Sequence, residues 1–299
     1  MSDAVLELSS RLAALAAEAE KSVVRVGGRR APASGVVWSA DGVIVAAHHS
    51  VEWEDEIEVG LPGGGEARAE LLGRDPSTDL AVLRTASPGL QPAAWGAGDA
   101  SLGQVILGVG RPGRSARASL GIVARTAGEW RAPGGGKLDR YVETSLPLQI
   151  GLSGSLVAGA DGKAIGLATA GLLRGLAMVV PPATLRRVVK AILAHGHVRR
   201  GYLGVATVPV RLRGAGEGRG ALLVTAVEPE SPAARAGVIV GDALVSLGGA
   251  GVSEAGDLMP LLEEERIGDA LAATVVRAGE TRELSITVGA REGGRRSAP

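Results

Sequence analysis

The 299-residue chain has no cysteine and no phenylalanine, aromatic residues make up 2% of it, and it carries four histidines. Without cysteine there can be no disulfide, no thiol nucleophile and no cysteine-based zinc site, and four scattered histidines offer little to a metal. No metal and no cofactor is expected. An excess of either charge is missing too, since Lys+Arg and Asp+Glu both total 32. That balance provides no electrostatic stripe for nucleic acid or an anionic membrane, so neither partner is expected. No apolar run reaches the ~18 residues of a membrane span. The basic start and unbroken apolar core of a secretory signal are absent as well, because Asp3 and Glu7 precede the first basic residue, Arg11. These absences lead to the expectation of a cytoplasmic location. What the chain does have is 45% hydrophobic residues, enough for sizeable cores in about two domains.

The amphipathic spacing of Val5, Leu8, Leu12 and Leu15 predicts a helix over residues 1–22. From Val23 the pattern changes to about a dozen short apolar runs separated by Gly, Pro and Asp, the signature of an all-β barrel or sandwich. Asp41-Gly42 between two of them marks a hairpin. After Pro181-Pro182 the helical period returns at Leu185, Val188, Val189, Ile192 and Leu193, with Gly196 as a stop.

The most informative stretch is Gly151-Leu152-Ser153-Gly154-Ser155-Leu156-Val157, a serine on a glycine-flanked turn entering an apolar strand. A serine hydroxyl near neutral pH is a poor nucleophile. It needs a base within hydrogen-bond reach, a group to orient that base, and amides aimed at the developing oxyanion. Glycine at 151 and 154 allows a turn tight enough for the amides of Gly151 and Ser153 to converge. Either His48 or His49, just after the strand Val43–Ala47, can be the base, and Asp79, at the head of the strand from Leu80, can orient it. The order His, Asp, Ser is that of the chymotrypsin fold, whereas α/β-hydrolases and subtilisins run in other orders.

Gly-Val-Ile-Val-Ala-Ala-His-His-Ser-Val-Glu (42–52), Gly-Arg-Asp-Pro-Ser-Thr-Asp-Leu-Ala-Val-Leu-Arg (73–84) and the Ser153 turn together resemble the three catalytic motifs of HtrA/Deg-type serine proteases. The resemblance spans roughly residues 20–290. It implies a mainly β fold, a chymotrypsin-like double six-stranded β-barrel followed by a PDZ domain. In that family about thirty residues separate base and acid, and 79 − 49 = 30 selects His49. The resemblance implies His49, Asp79 and Ser153 as catalytic residues and the amides of Gly151 and Ser153 as the oxyanion hole. It also implies Thr169, Ala170 and Gly171 as the wall of a pocket for small or medium apolar side chains. The serine turn is one residue shorter than the family's Gly-Asn-Ser-Gly-Gly-Pro-Leu-Val, and a peptide-binding scaffold without hydrolysis is the alternative function. Arg111–Gly136 resembles the family's regulatory loops, mobile until a ligand orders them.

Gly201-Tyr202-Leu203-Gly204-Val205 resembles the carboxylate-binding loop of an HtrA-type PDZ domain. On that resemblance the amides of Leu203, Gly204 and Val205 take a peptide C-terminus, which pairs with the adjoining strand by β-augmentation. A helix near Leu258–Glu265 forms the other wall, and Pro260 places its start near Asp257. The expected domains are the helix over 1–22, the protease domain over 23–198, the PDZ domain over 199–290 and a flexible tail over 291–299. Proteins and peptides are the expected partners, with a homo-oligomer such as a trimer as a further possibility of the family.

Overall fold

The structure, a computed structural model, describes residues 3–28, 32–52, 56–97, 100–212 and 220–290, so the expected tail over 291–299 lies outside the described residues. The chain divides into two compact units, Met1–His197 and Val198–Pro299.

The first unit opens with helix α1 (Asp3–Glu20), whose amino-terminal half is exposed and whose later turns pack on the second barrel. Six antiparallel strands follow: β1 (Val23–Val26), β2 (Ala33–Val37), β3 (Val43–Ala47), β4 (Ile57–Gly60), β5 (Glu66–Asp75) and β6 (Leu80–Thr85). They close a barrel in the order β1-β2-β3-β6-β5-β4. The Val/Ile/Leu/Ala composition of β3 and β6 reflects burial on both faces. Ile44, Ala46, Ala81 and Leu83 fill the barrel, while Val43, Val45 and Leu80 are buried outside that core. A fully buried aliphatic side chain of this kind contributes about 1.5–3 kcal/mol relative to exposure.

A second barrel is built from β7 (Val105–Gly110), β8 (Arg117–Ala127), β11 (Tyr141–Thr144), β12 (Leu156–Gly159), β13 (Ala164–Thr169) and β14 (Ala177–Val180), in the order β11-β14-β13-β12-β7-β8. Between β8 and β11 a small hairpin pairs β9 (Trp130–Arg131) with β10 (Lys137–Leu138). Arg111–Gly136 is thus only partly loop, because Arg117–Ala127 forms strand β8, paired on one side with β7 and on the other with β11. The Arg111 side chain is also 4% exposed and anchored. Its guanidinium donates to Val23 O at 3.2 Å, Arg114 O at 2.8 Å and Glu20 Oε1 at 2.9 Å. Helix α2 (Pro182–His195) buries Leu185, Val188 and Ile192 against β5, β6 and β13 and ends at Gly196 in the left-handed conformation.

The second unit contains β15 (Gly201–Tyr202), β16 (Val205–Arg211), β17 (Gly220–Val227), β18 (Ala243–Leu247), β19 (Ala250–Gly251), β20 (Ala270–Arg277), β21 (Glu280–Thr287) and β22 (Gly289–Ala290). The main sheet runs β16-β17-β18-β20-β21, leaving β16 on an edge, around a core that includes Leu222, Leu247, Val275 and Ile286. Two short helices, α3 (Pro232–Arg235) and α4 (Ala255–Leu258), cover it. The helix expected from Asp257 starts at Ala255 instead. Glu254 and Asp257 form a reciprocal capping box there, and the α segment stops at Leu258. Pro260 would otherwise clash with the carbonyl of Gly256, so the chain continues as a 3₁₀ turn, Met259–Leu262, with the proline in its first turn.

Candidate active site

Strand β3 delivers His48 and His49 in a single 3₁₀ turn, His48–Ser50. A built turn delivers Asp79. Asp75 Oδ1 accepts from Ser77 N–H at 3.2 Å and Ser77 Oγ at 2.6 Å, and Asp75 Oδ2 accepts from Thr78 Oγ1 at 2.6 Å. The turn leaves Asp79 at φ 57°, a left-handed conformation that aspartate tolerates better than most residues. From there its carboxylate, with a side chain 4% exposed, faces His49. Oδ1 accepts the His49 backbone N–H at 2.9 Å, and Oδ2 lies 2.7 Å from His49 Nδ1. An ionised carboxylate can only accept, so Nδ1 carries the proton and Nε2 of the neutral ring is left as the acceptor. The hydrogen bond to Asp79 holds the His49 imidazole above its ordinary pKa, against the opposing effect of burial. His48 goes the other way. It is half-buried, with Nδ1 lacking a partner among the described residues, and burial followed by the Arg74 charge lowers its pKa.

The serine turn joins the two barrels. Ser34 on β2 donates its Oγ–H to Gly151 O at 2.7 Å and its N–H to Ser153 O at 3.3 Å. Gly151 (φ 86°) and Gly154 (φ 87°) both occupy the left-handed region. At Gly154 a Cβ would overlap the Ser34 carbonyl, so any other residue there would push the barrels apart. Leu152 needs no such conformation: its φ is not positive, and its side chain is buried. The turn is closed by Ser155, whose N–H and Oγ–H both donate to Leu152 O, at 3.1 and 2.6 Å. The amide of Leu152 bonds Gln149 O at 3.0 Å and that of Gly154 bonds Ala168 O at 2.8 Å. The amides of Gly151 and Ser153 are left, and they have no hydrogen bond among the described residues.

Strand β13 and the residues after it complete the site. Ser153 Oγ accepts from Ala170 N–H at 3.3 Å, and no hydrogen bond joins it to His49 among the described residues. Of the three residues expected to wall the pocket, Ala170 and Gly171 are exposed beside Ser153 and His49. Thr169 is not a wall. It is fully buried, its hydroxyl donates to Asp79 Oδ2, and it accepts the Gly171 N–H at 2.9 Å. At Gly171 a Cβ would stand 2.5 Å from His49 Nδ1 and 2.7 Å from Asp79 Cγ, so glycine there leaves the pair its space. A threonine followed by small residues reads in sequence as pocket lining; that it bonds the acid is visible only once β13 is brought against the turn of Asp79.

In the second unit Leu203 is buried, and the carbonyls of Leu203 and Gly204 are engaged by Ala233 N–H at 2.9 Å and Glu228 N–H at 2.8 Å. Val205 opens the edge strand β16.

Residues 33–167 match the trypsin-like peptidase domain family and residues 201–288 the PDZ domain family. The chain is 32% identical over 274 residues to a probable periplasmic serine endoprotease DegP-like of Brucella suis, covering 87% of this chain and 53% of that protein. It is also 32% identical over 273 residues to the protein of the same description from Halomonas elongata, covering 87% and 57%. The chain thus spans a little over half the length of these curated relatives. The solved structure of the HtrA-type protease AlgW with decapeptide superposes with a TM-score of 0.75 at 25% identity, covering 95% of this chain and 99% of that one. These relatives are named periplasmic, which overturns the expectation of a cytoplasmic location, since charge near the first residues does not report the compartment. Two closed six-stranded barrels followed by a PDZ domain, with both family matches in that order and relatives along most of its length, make this chain a member of the HtrA-type serine protease family.

Proposed function

We propose that this chain is a serine endopeptidase in which Ser153 is the nucleophile, His49 the general base and Asp79 the group that orients and stabilises it. The observation that carries this reading is the His49–Asp79 pair: Nδ1 is held by a buried carboxylate, which leaves Nε2 as an acceptor, and the consecutive residues Ala170 and Gly171 touch Ser153 Oγ and the His49 ring in turn. In the reaction Ser153 Oγ leaves the Ala170 amide by rotation about χ1, transfers its proton to Nε2 and attacks the peptide carbonyl. The imidazolium then protonates the leaving amine, and water repeats the sequence on the acyl-enzyme. The unengaged amides of Gly151 and Ser153 stabilise the oxyanion. Ala170 and Gly171, with no acidic group among them, select small or medium apolar side chains before the cut.

In the PDZ unit the amides of Leu203, Gly204 and Val205 receive a peptide C-terminus that extends the sheet at β16, and the relatives' names point to action on proteins in the periplasm. The test is a fluorophosphonate probe. The intact protein is expected to be labelled at Ser153, and Ser153→Ala to lose labelling together with several orders of magnitude in turnover while keeping peptide affinity. A probe that fails to label Ser153 while peptide still binds would support the non-hydrolytic scaffold.

A further inference from the structure

Gly134-Gly135-Gly136 forms the tip of the β9–β10 hairpin, and of the three only Gly135 has a conformation that calls for glycine (φ 83°). The two flanking glycines are explained by what they touch. A Cβ at Gly136 would overlap the carbonyl carbon and oxygen of Ser77 and stand 2.7 Å from its Oγ. One at Gly134 would stand 3.3 Å from Ser77 Cα. Ser77 is the middle of the turn from Asp75 to Asp79, so the hairpin tip rests by its backbone on the segment that aims the carboxylate.

The hairpin is itself fixed from behind. Within it Ala132 N–H donates to Gly136 O at 2.9 Å and Gly135 N–H to Ala132 O at 2.8 Å. Its far end is tied to helix α2, with Arg187 donating to Lys137 O at 2.6 Å and the Asp139 N–H donating to Thr184 Oγ1 at 3.0 Å. Leu138 is fully buried. A chain of contacts therefore runs from α2 through the hairpin and Ser77 to Asp79 and His49.

We propose that the glycine tip Gly134–Gly136 is a positioning clamp for Asp79, holding the turn from Asp75 in the conformation that brings the carboxylate to His49 Nδ1. This rests on Asp79 acting as the partner of His49 in the reaction proposed above. Gly134 and Gly136 touch neither substrate nor the reacting atoms and act only through the turn. Among the described residues, the charged group acting on the His49 ring is Asp79, the neighbouring His48 is coupled to it, Arg74 and Asp75 act on His48, and none of them belongs to the hairpin. A shift in His49 titration on altering the hairpin therefore reports movement of Asp79.

The experiment is Gly136→Ala in the full chain, with the His49 imidazole titrated by NMR and kcat/KM measured across pH. The added methyl is expected to push Ser77 away, lower the His49 titration midpoint toward that of a free imidazole, and reduce kcat/KM about 100-fold, the size of loss a displacement of ~1 Å brings. Gly128→Ala, in the same connection but with nothing within 4 Å of its Cβ, is expected to leave both readouts unchanged. Should Gly136→Ala not fold, the gentler Gly134→Ala is expected to move the midpoint in the same direction by less. A folded Gly136→Ala, or in its place Gly134→Ala, with an unmoved His49 midpoint overturns the clamp. Absence of fluorophosphonate labelling in the unaltered protein overturns the peptidase reading instead, and the NMR titration does not depend on it.

Discussion

At the scale of single residues, the site turns on one carboxylate that accepts from a backbone amide, an imidazole and a threonine hydroxyl. Because Asp79 favours the charged ring, His49 titrates above the ordinary imidazole value of about 6.5, and the neutral base accumulates only above that raised pKa. The acid limb of kcat/KM is therefore expected above pH ~6.5, and Asp79→Asn is expected to move it to lower pH while cutting kcat by up to about 10⁴. A pH–rate profile of the two proteins checks both effects. The sign for stability is opposite: a raised folded pKa stabilises below about pH 6.5 and loses that contribution as pH rises through the folded value. The pairing of Asp79 with a histidine was legible because the two motifs carry order and spacing, and the choice of His49 over His48 needed the family spacing. Thr169 was misplaced because a buried hydroxyl and a pocket-lining one look alike until the strand's partner is known.

At the scale of elements, the twelve barrel strands were legible because each alternates or runs apolar between turn residues. Their lengths were not: β5 extends over Glu66–Asp75, with a register shift between Leu71 and Gly73 that no apolar run announces. Gly73 marks where this strand meets the end of helix α2. A Cβ there would overlap the Gly196 carbonyl and stand 2.8 Å from Ile192 Cγ2. Gly73→Ala is accordingly expected to destabilise the first unit by about 1–3 kcal/mol, the usual cost of overpacking, seen as a lower denaturation midpoint with an unchanged m-value. The hairpin tip and the start of α4 were hidden for a shared reason. Glycine triplets and prolines announce that a chain bends, whereas what they bend around is a tertiary fact.

At the scale of the whole molecule, the two units have separate cores. A peptide with a free C-terminal carboxylate is therefore expected to raise the unfolding temperature of the PDZ unit alone, worth about 2.7 kcal/mol at a hundredfold excess over Kd. Its C-terminally amidated form is expected to do much less, and differential scanning calorimetry with the two peptides separates these outcomes. The division into a β-rich half and a PDZ half was legible from motif order, while the compartment was not, since composition and leading charges say little about where a chain is sent. The seam at Ser34 has a further consequence for how the protein is made. His49 and Asp79 leave the ribosome with the first barrel, whereas Ser153 and Thr169 arrive only with the second, and Gly151 and Ser153 are fastened to Ser34 once both halves meet. On the proposed assignment, an unfinished chain therefore carries the base before it has the nucleophile that base would activate.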